Sequence, residues 1–120
     1  MGTKQQLNDN VLTIVNAIEQ GIEVTQDDID SGYYDEGQYE AGDIISGFDY
    51  LADVLDITWI LFSDKTYKGA EVLVGFGGPN LWIDTVHNTV HGTWGGDKVS
   101  MSYHDDVMGI DEALEELFNC

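Results

Sequence analysis

The order of hydrophobic periodicities predicts an α+β fold: two N-terminal helices, an antiparallel meander sheet of four to five strands, and a C-terminal acidic helix. Three observations carry this. Apolar residues recur at helical spacing near the start of the chain, and the period switches to two after residue 56. The links between the period-two segments are short and rich in turn residues. At 120 residues with 42% hydrophobic content, the chain suits one compact domain, 1–120, and is too short for two comfortable ones.

Leu7, Val11, Ile14, Val15 and Ile18 share one face of a helix over residues 4–20, with Asn8, Asp9, Asn16, Glu19 and Gln20 on the other. Gly21 stands where a helix-ending glycine belongs. Residues 25–43 hold three glycines and seven acids, the composition of a loop or a broken short helix. Tyr33, Tyr34 and Tyr39 would let that loop pack on the domain. Ser46, with Asp49 three residues on, reads as the N-cap of a second helix running to about Asp56. Strands follow at Ile57–Ser63, Ala70–Phe76, Leu81–Val86, Val90–Trp94 and Val99–Tyr103. Their short connections imply antiparallel neighbours. Met108–Phe118 forms the last helix. Trp59 and Phe62 are expected in the core, and Trp82 and Trp94 in a cross-strand cluster.

Charge is the outlier. The chain has 23 Asp and Glu against 4 Lys and no Arg, a net charge of -19. Phosphate contacts need Lys and Arg, so this balance argues against direct binding to DNA, RNA or anionic lipid. No apolar run is long enough to span a membrane. The opening Met-Gly-Thr-Lys-Gln-Gln has neither a signal-peptide core nor a myristoylation pattern. The single cysteine, Cys120, fits a reducing compartment such as a host cytoplasm. Disorder does not explain the acidity, because aromatic and β-branched residues fall in periodic blocks. Halophilic adaptation explains scarce lysine but not clustered acids.

The acids form patterns. On the last helix, at about 100° per residue, Asp111, Glu112, Glu115 and Glu116 fall within an arc of about 140°, opposite Ile110, Ala113, Leu114, Leu117 and Phe118. On the second, Asp49, Asp53 and Asp56 form a stripe. Asp27, Asp28, Asp30, Asp35, Glu36, Glu40 and Asp43 crowd the loop between the first two helices, interleaved with its tyrosines. Between Lys4 and Lys65 there are fourteen acids and no basic residue. Helix neighbours three or four apart lie about 5–6 Å from each other, a spacing comparable with the phosphates of nucleic acid. Solubility alone asks for a net charge of only about 2–8. Tyrosine beside carboxylate also suits an Arg-rich partner, because guanidinium pairs with the acid and stacks on the ring.

Other chemistry is thin. Asp28-Ile-Asp30-Ser-Gly32 has a calcium-loop flavour, but counted from Asp28 the sixth residue is Tyr33 and the twelfth Tyr39, where the EF-hand needs Gly and Glu. His87, His91 and His104 could converge on zinc only if the sheet brings them together. Gly75-Phe-Gly-Gly-Pro-Asn lies between strands and reads as a hairpin turn, not a phosphate cradle. No nucleophile elbow, Cys–His pair or HExxH stretch occurs, so neither an enzyme nor a cofactor is expected.

In size, near absence of basic residues, α+β pattern, and the acids of residues 27–56 and 111–116, the chain resembles the DNA-mimic inhibitors of phages and other mobile elements, of the anti-CRISPR and anti-restriction kind. Phe76–Thr85 is also similar to a segment of uncharacterised mobile-element proteins. Such inhibitors share no motif, so the resemblance transfers no catalytic residue. It implies a stoichiometric protein that occupies the basic DNA channel of a defence nuclease, an RNA-guided one first and a restriction enzyme as the alternative. The partner-binding set expected is Asp27, Asp28, Asp30, Tyr33, Tyr34, Asp35, Glu36, Tyr39, Glu40, Asp43, Asp49, Asp53, Asp56, Asp111, Glu112, Glu115 and Glu116. Readings from other classes are a small metal-binding protein and an acidic antitoxin or adaptor for a basic host protein.

Overall fold

The computed structural model describes residues 2–120, with side chains from residue 4 onward; Met1, which opens the segment scanned for a leader, lies outside it. Helix α1 (Gly2–Gln20) is followed by two short helices, α2 (Gln26–Asp30) and α3 (Gly47–Ala52). Five strands then form one sheet: β1 (Asp56–Leu61), β2 (Tyr67–Gly75), β3 (Asn80–Asp84), β4 (Thr89–Trp94) and β5 (Asp97–Ser102). Helix α4 (Ile110–Asn119) closes the chain. The strands pair in sequence order, each antiparallel to the next, so the meander and the α+β class are as the sequence predicts.

The apolar stripe of α1 does what its spacing dictates. Leu7, Val11, Val15 and Ile18 are buried, and they meet Val72, Ile83 and Val90 from the sheet. Helix α1 lies over β4 and β5, whereas α4 lies over β2 and against α3. Ile110, Ala113 and Leu114 carry the inward face of α4. The helices therefore share one face of the sheet. No helix among the described residues is long and apolar enough to cross a membrane.

Four local expectations change. The second helix stops at Ala52 instead of running to Asp56. Leu55 donates its N–H to the Leu73 carbonyl, and Asp56 pairs with Leu73, so strand pairing captures the chain before another helical turn can form. The predicted stripe Asp49–Asp53–Asp56 is thereby broken. Asp56 shares a sheet face with Leu73 and Trp82, the face turned away from the helices.

Phe62 is exposed, not core, because β1 ends at Leu61 and Phe62 enters the hairpin loop. There the Lys68 ammonium sits 5.7 Å from its ring centroid. Trp82 and Trp94 do not cluster. Trp82 opposes His91, three residues from Trp94, and an odd separation puts the two indoles on opposite faces. Trp94 packs toward the core, and Trp82 stacks on His91 with ring centroids 5.1 Å apart. The three histidines stay apart. His87 bonds Asp84 at 2.8 Å, His91 lies on Trp82, and the His104 amide donates to Glu19 at 2.9 Å. Among the described residues no three His, Cys, Asp or Glu side chains are grouped to hold a metal ion.

Two glycines set how closely the helix layer approaches. A Cβ on Gly92 would lie 2.8 Å from Leu7 Cδ1 and from Leu81 Cδ2, under α1. One on Gly47 would lie 2.5 Å from the Gly109 carbonyl oxygen, where α3 meets the start of α4. Leucine termini can rotate, but a backbone carbonyl cannot yield unless the helices separate. Gly47→Ala is therefore expected to cost about 1–3 kcal/mol by overpacking, and Gly92→Ala less. Thermal unfolding of both variants checks this; a wild-type melting temperature for Gly47→Ala would refute the close α3–α4 seat.

Candidate acidic interface

The segment between α2 and α3 is acidic, yet it is tied down. Thr25 caps α2 in a reciprocal box: its hydroxyl accepts from the Asp28 N–H and Asp28 accepts from the Thr25 N–H, both at 3.1 Å. Asp30 accepts from Gln26 at 2.9 Å, and Asp43 from the Glu40 N–H at 2.8 Å. At α3 the Ser46 hydroxyl accepts from the Asp49 N–H at 3.2 Å, the predicted cap. The reciprocal bond is rerouted. The Ser46 N–H donates to the Tyr39 hydroxyl at 2.9 Å, and that hydroxyl donates to Asp49 Oδ2. Tyr39 is thus inserted into the cap of α3, stitching the loop to the helix.

The remaining loop contacts converge on the same helix. Gln38 donates to Asp49 Oδ2 and the Tyr33 hydroxyl donates to Asp53 Oδ2, each at 2.9 Å. The rings of Tyr33 and Tyr34 meet edge to face at 4.8 Å, and those of Tyr34 and Tyr39 at 4.9 Å. The hydrogen bond to Asp53 and that carboxylate's charge raise the Tyr33 phenol above its ordinary range. Desolvation raises Tyr34. These rings therefore remain neutral at physiological pH.

The acids of the predicted set divide by role. Asp28, Asp30, Asp43, Asp49 and Asp53 accept internal hydrogen bonds, and so does Asp111, from the Tyr67 hydroxyl at 2.7 Å. Asp27, Asp35, Glu36, Glu40, Glu112, Glu115 and Glu116 are exposed, and among the described residues their carboxylates take no partner. Leaving aside Asp97, the described carboxylates make ion pairs with histidine alone: His87 on Asp84, and His91 at 3.9 Å from Glu71. Lysine does not neutralise them.

Placement completes the picture. Asp28, Tyr33, Tyr34, Asp49 and Asp53 line one cavity, and Tyr34, Asp35, Glu36 and Tyr39 a neighbouring one. Glu112, Glu115 and Glu116 line a groove whose opposite wall is Gly47 and Phe48 of α3. Helix α3 thus borders both acidic groups, on the helix side of the molecule. Asp56 is excluded from them by its position in β1. The outer sheet face also stays acidic, with three carboxylates, Asp56, Glu71 and Asp84, beside His91 and Lys98.

Sequence reasoning missed two things here. Asp106, outside the predicted set, caps α4 by accepting from the Ile110 and Asp111 N–H groups at 2.9 and 3.0 Å; an acid four residues before an apolar periodic run was the available signal. Tyr50 and Val54, which the sequence did not single out, line the cavity with Tyr33 and Tyr34.

The division of acids gives opposite expectations for two variants. Asp49→Ala strands the Tyr39 and Gln38 donors and should cost about 1–3 kcal/mol. The triple variant Asp35→Asn, Glu36→Gln, Glu40→Gln removes only mutually repelling charge and should gain a few tenths of a kcal/mol per relieved pair, by order of magnitude ~0.3. Raising salt from about 0.01 M to about 1 M contracts the screening length from about 30 Å to about 3 Å. The wild-type melting temperature should therefore rise with salt, and rise less in the triple variant. A salt-independent melting temperature would show the charges to be too dispersed to repel.

Comparison with protein families, with curated proteins and with solved structures finds no match to this chain.

Proposed function

We propose that this protein is a non-enzymatic, nucleic-acid-mimicking inhibitor that binds the basic DNA channel of a host defence nuclease in the host cytoplasm. The target we put first is an RNA-guided nuclease, so that the protein acts as an anti-CRISPR; a restriction enzyme is the alternative. One observation supports it above the rest. The helix side of the fold carries exposed carboxylates that no lysine neutralises, at Asp27, Asp35, Glu36 and Glu40 and again along α4. Such a surface costs folding free energy through self-repulsion. A cationic partner would return that free energy on binding, and steer association at low salt.

The reading makes contact residues of the free acids, while Asp49, Asp53 and Asp111 first of all hold the loop and α4 in place through their hydrogen bonds. It is tested by order of addition. Nuclease charged with its guide is incubated with this protein before target DNA, and DNA binding is measured by gel shift over a range of salt. Blocked DNA binding that weakens as salt rises is the expected result. The triple variant at Asp35, Glu36 and Glu40 should inhibit roughly tenfold less well, the sum of three solvent-exposed charge pairs. A nuclease–DNA complex that forms normally beside bound protein would reject channel occupation.

A further inference from the structure

The cavity between the tyrosine loop, α3 and β2 has a composition that selects one chemistry. Its volume is about 390 Å³, within the range of small-ligand pockets. Tyr33, Tyr34 and Tyr50 supply aromatic wall, Asp28, Asp49 and Asp53 supply carboxylate, and Val54 and Val74 supply aliphatic floor. No basic side chain lines it. Asp28, Asp49 and Asp53 each accept their hydrogen bonds through Oδ2, and among the described residues their Oδ1 atoms have no protein donor. Desolvation raises the Tyr50 phenol, as it does Tyr34, so the walls are neutral rings with electron-rich faces.

Elimination narrows the ligand. An anion would face three carboxylates. A neutral apolar group would strip water from those carboxylates without replacing it. A metal ion finds no grouped ligand set here among the described residues, and tyrosine faces do not coordinate one. A planar organic cation satisfies both halves of the lining at once, stacking on a ring while its N–H fork reaches carboxylate oxygen. We propose that this cavity receives a single arginine side chain of the partner protein, its guanidinium against Tyr33 and the open oxygens of the aspartates. The inference rests on the reading of this protein as the ligand of a basic channel, and it turns a diffuse charge match into one keyed contact. Tyr33, 62% exposed, stands at the mouth, and its hydroxyl holds Asp53 in place.

The test needs no nuclease. The 15N-labelled full chain is titrated with N-acetyl-arginine amide, with the lysine analogue, and with N-acetyl-citrulline amide, which has the same shape without the charge. Saturable shifts confined to the amides around Tyr33, Tyr34, Tyr50 and Val54 are expected with arginine, weaker ones with lysine, and none with citrulline. Tyr33→Leu should weaken arginine binding about three- to tenfold, the loss of one ring face. Tyr33→Phe keeps the face but releases Asp53 from the hydroxyl, so it should weaken arginine binding less than Tyr33→Leu does; the triple variant at Asp35, Glu36 and Glu40 should keep the affinity. The amide spectrum of each variant serves as the folding control. Shifts that spread over the whole acidic surface without saturating, equal binding of citrulline, or wild-type affinity in Tyr33→Leu would each overturn the proposal. Its failure with nuclease inhibition intact would remove the arginine pocket and leave channel occupation standing. Arginine binding with no effect on nuclease–DNA assembly would uphold the pocket and assign it to a different basic partner.

Discussion

Everything in this fold depends on seating a helix layer tightly on one face of a five-stranded sheet while carrying a net charge of -19. The favourable side is the burial of Leu7, Val11, Val15 and Ile18 of α1 and Ile110 and Leu114 of α4 against Val72, Ile83 and Val90. The opposing side is repulsion among carboxylates that no lysine offsets. Gly47 lets α3 meet the backbone at the start of α4, and Gly92 lets the Leu7 and Val11 side chains of α1 pack directly onto the backbone of β4. Charge has been pushed to the far side of the helices and into the loops, where water screens it.

Acids are therefore not one population. Some are structural, consumed by capping and by tyrosine hydroxyls: Asp28 at α2, Asp49 at α3, Asp106 at α4, Asp53 and Asp111 under Tyr33 and Tyr67. Burial and the bonded Asp111 carboxylate raise the Tyr67 phenol, so that this bond keeps its proton. Others, Asp27, Asp35, Glu36, Glu40, Glu112, Glu115 and Glu116, face solvent, and among the described residues their carboxylates take no partner. Around α3 the two populations are adjacent, the bound acids positioning the segment from which the free ones project.

The elements were legible because period and turn chemistry agreed along most of the chain. The stripe of α1, the Ser46 cap, the five strands and the α4 amphipathicity were all written locally. What was not legible depended on distant partners. The end of α3 was decided by β2, which takes the Leu55 N–H. The separation of Trp82 from Trp94 followed from register, which the residues of either strand alone do not state. The acids of residues 27–53 looked equivalent in sequence, and only the Tyr33, Gln38 and Tyr39 contacts distinguish scaffold from free surface.

The insertion of Tyr39 into the cap of α3 has a consequence for the entropy of recognition. A loop of three glycines and seven acids would ordinarily have to be frozen when a partner binds, at about 1–2 kcal/mol for each ordered residue. Here the phenol hydroxyl, the Gln38 amide and the Tyr33–Tyr34–Tyr39 ring contacts have already fixed the path of the chain. That ordering is charged to folding and not to association. A partner of the kind proposed would meet a loop whose path the free protein has already set.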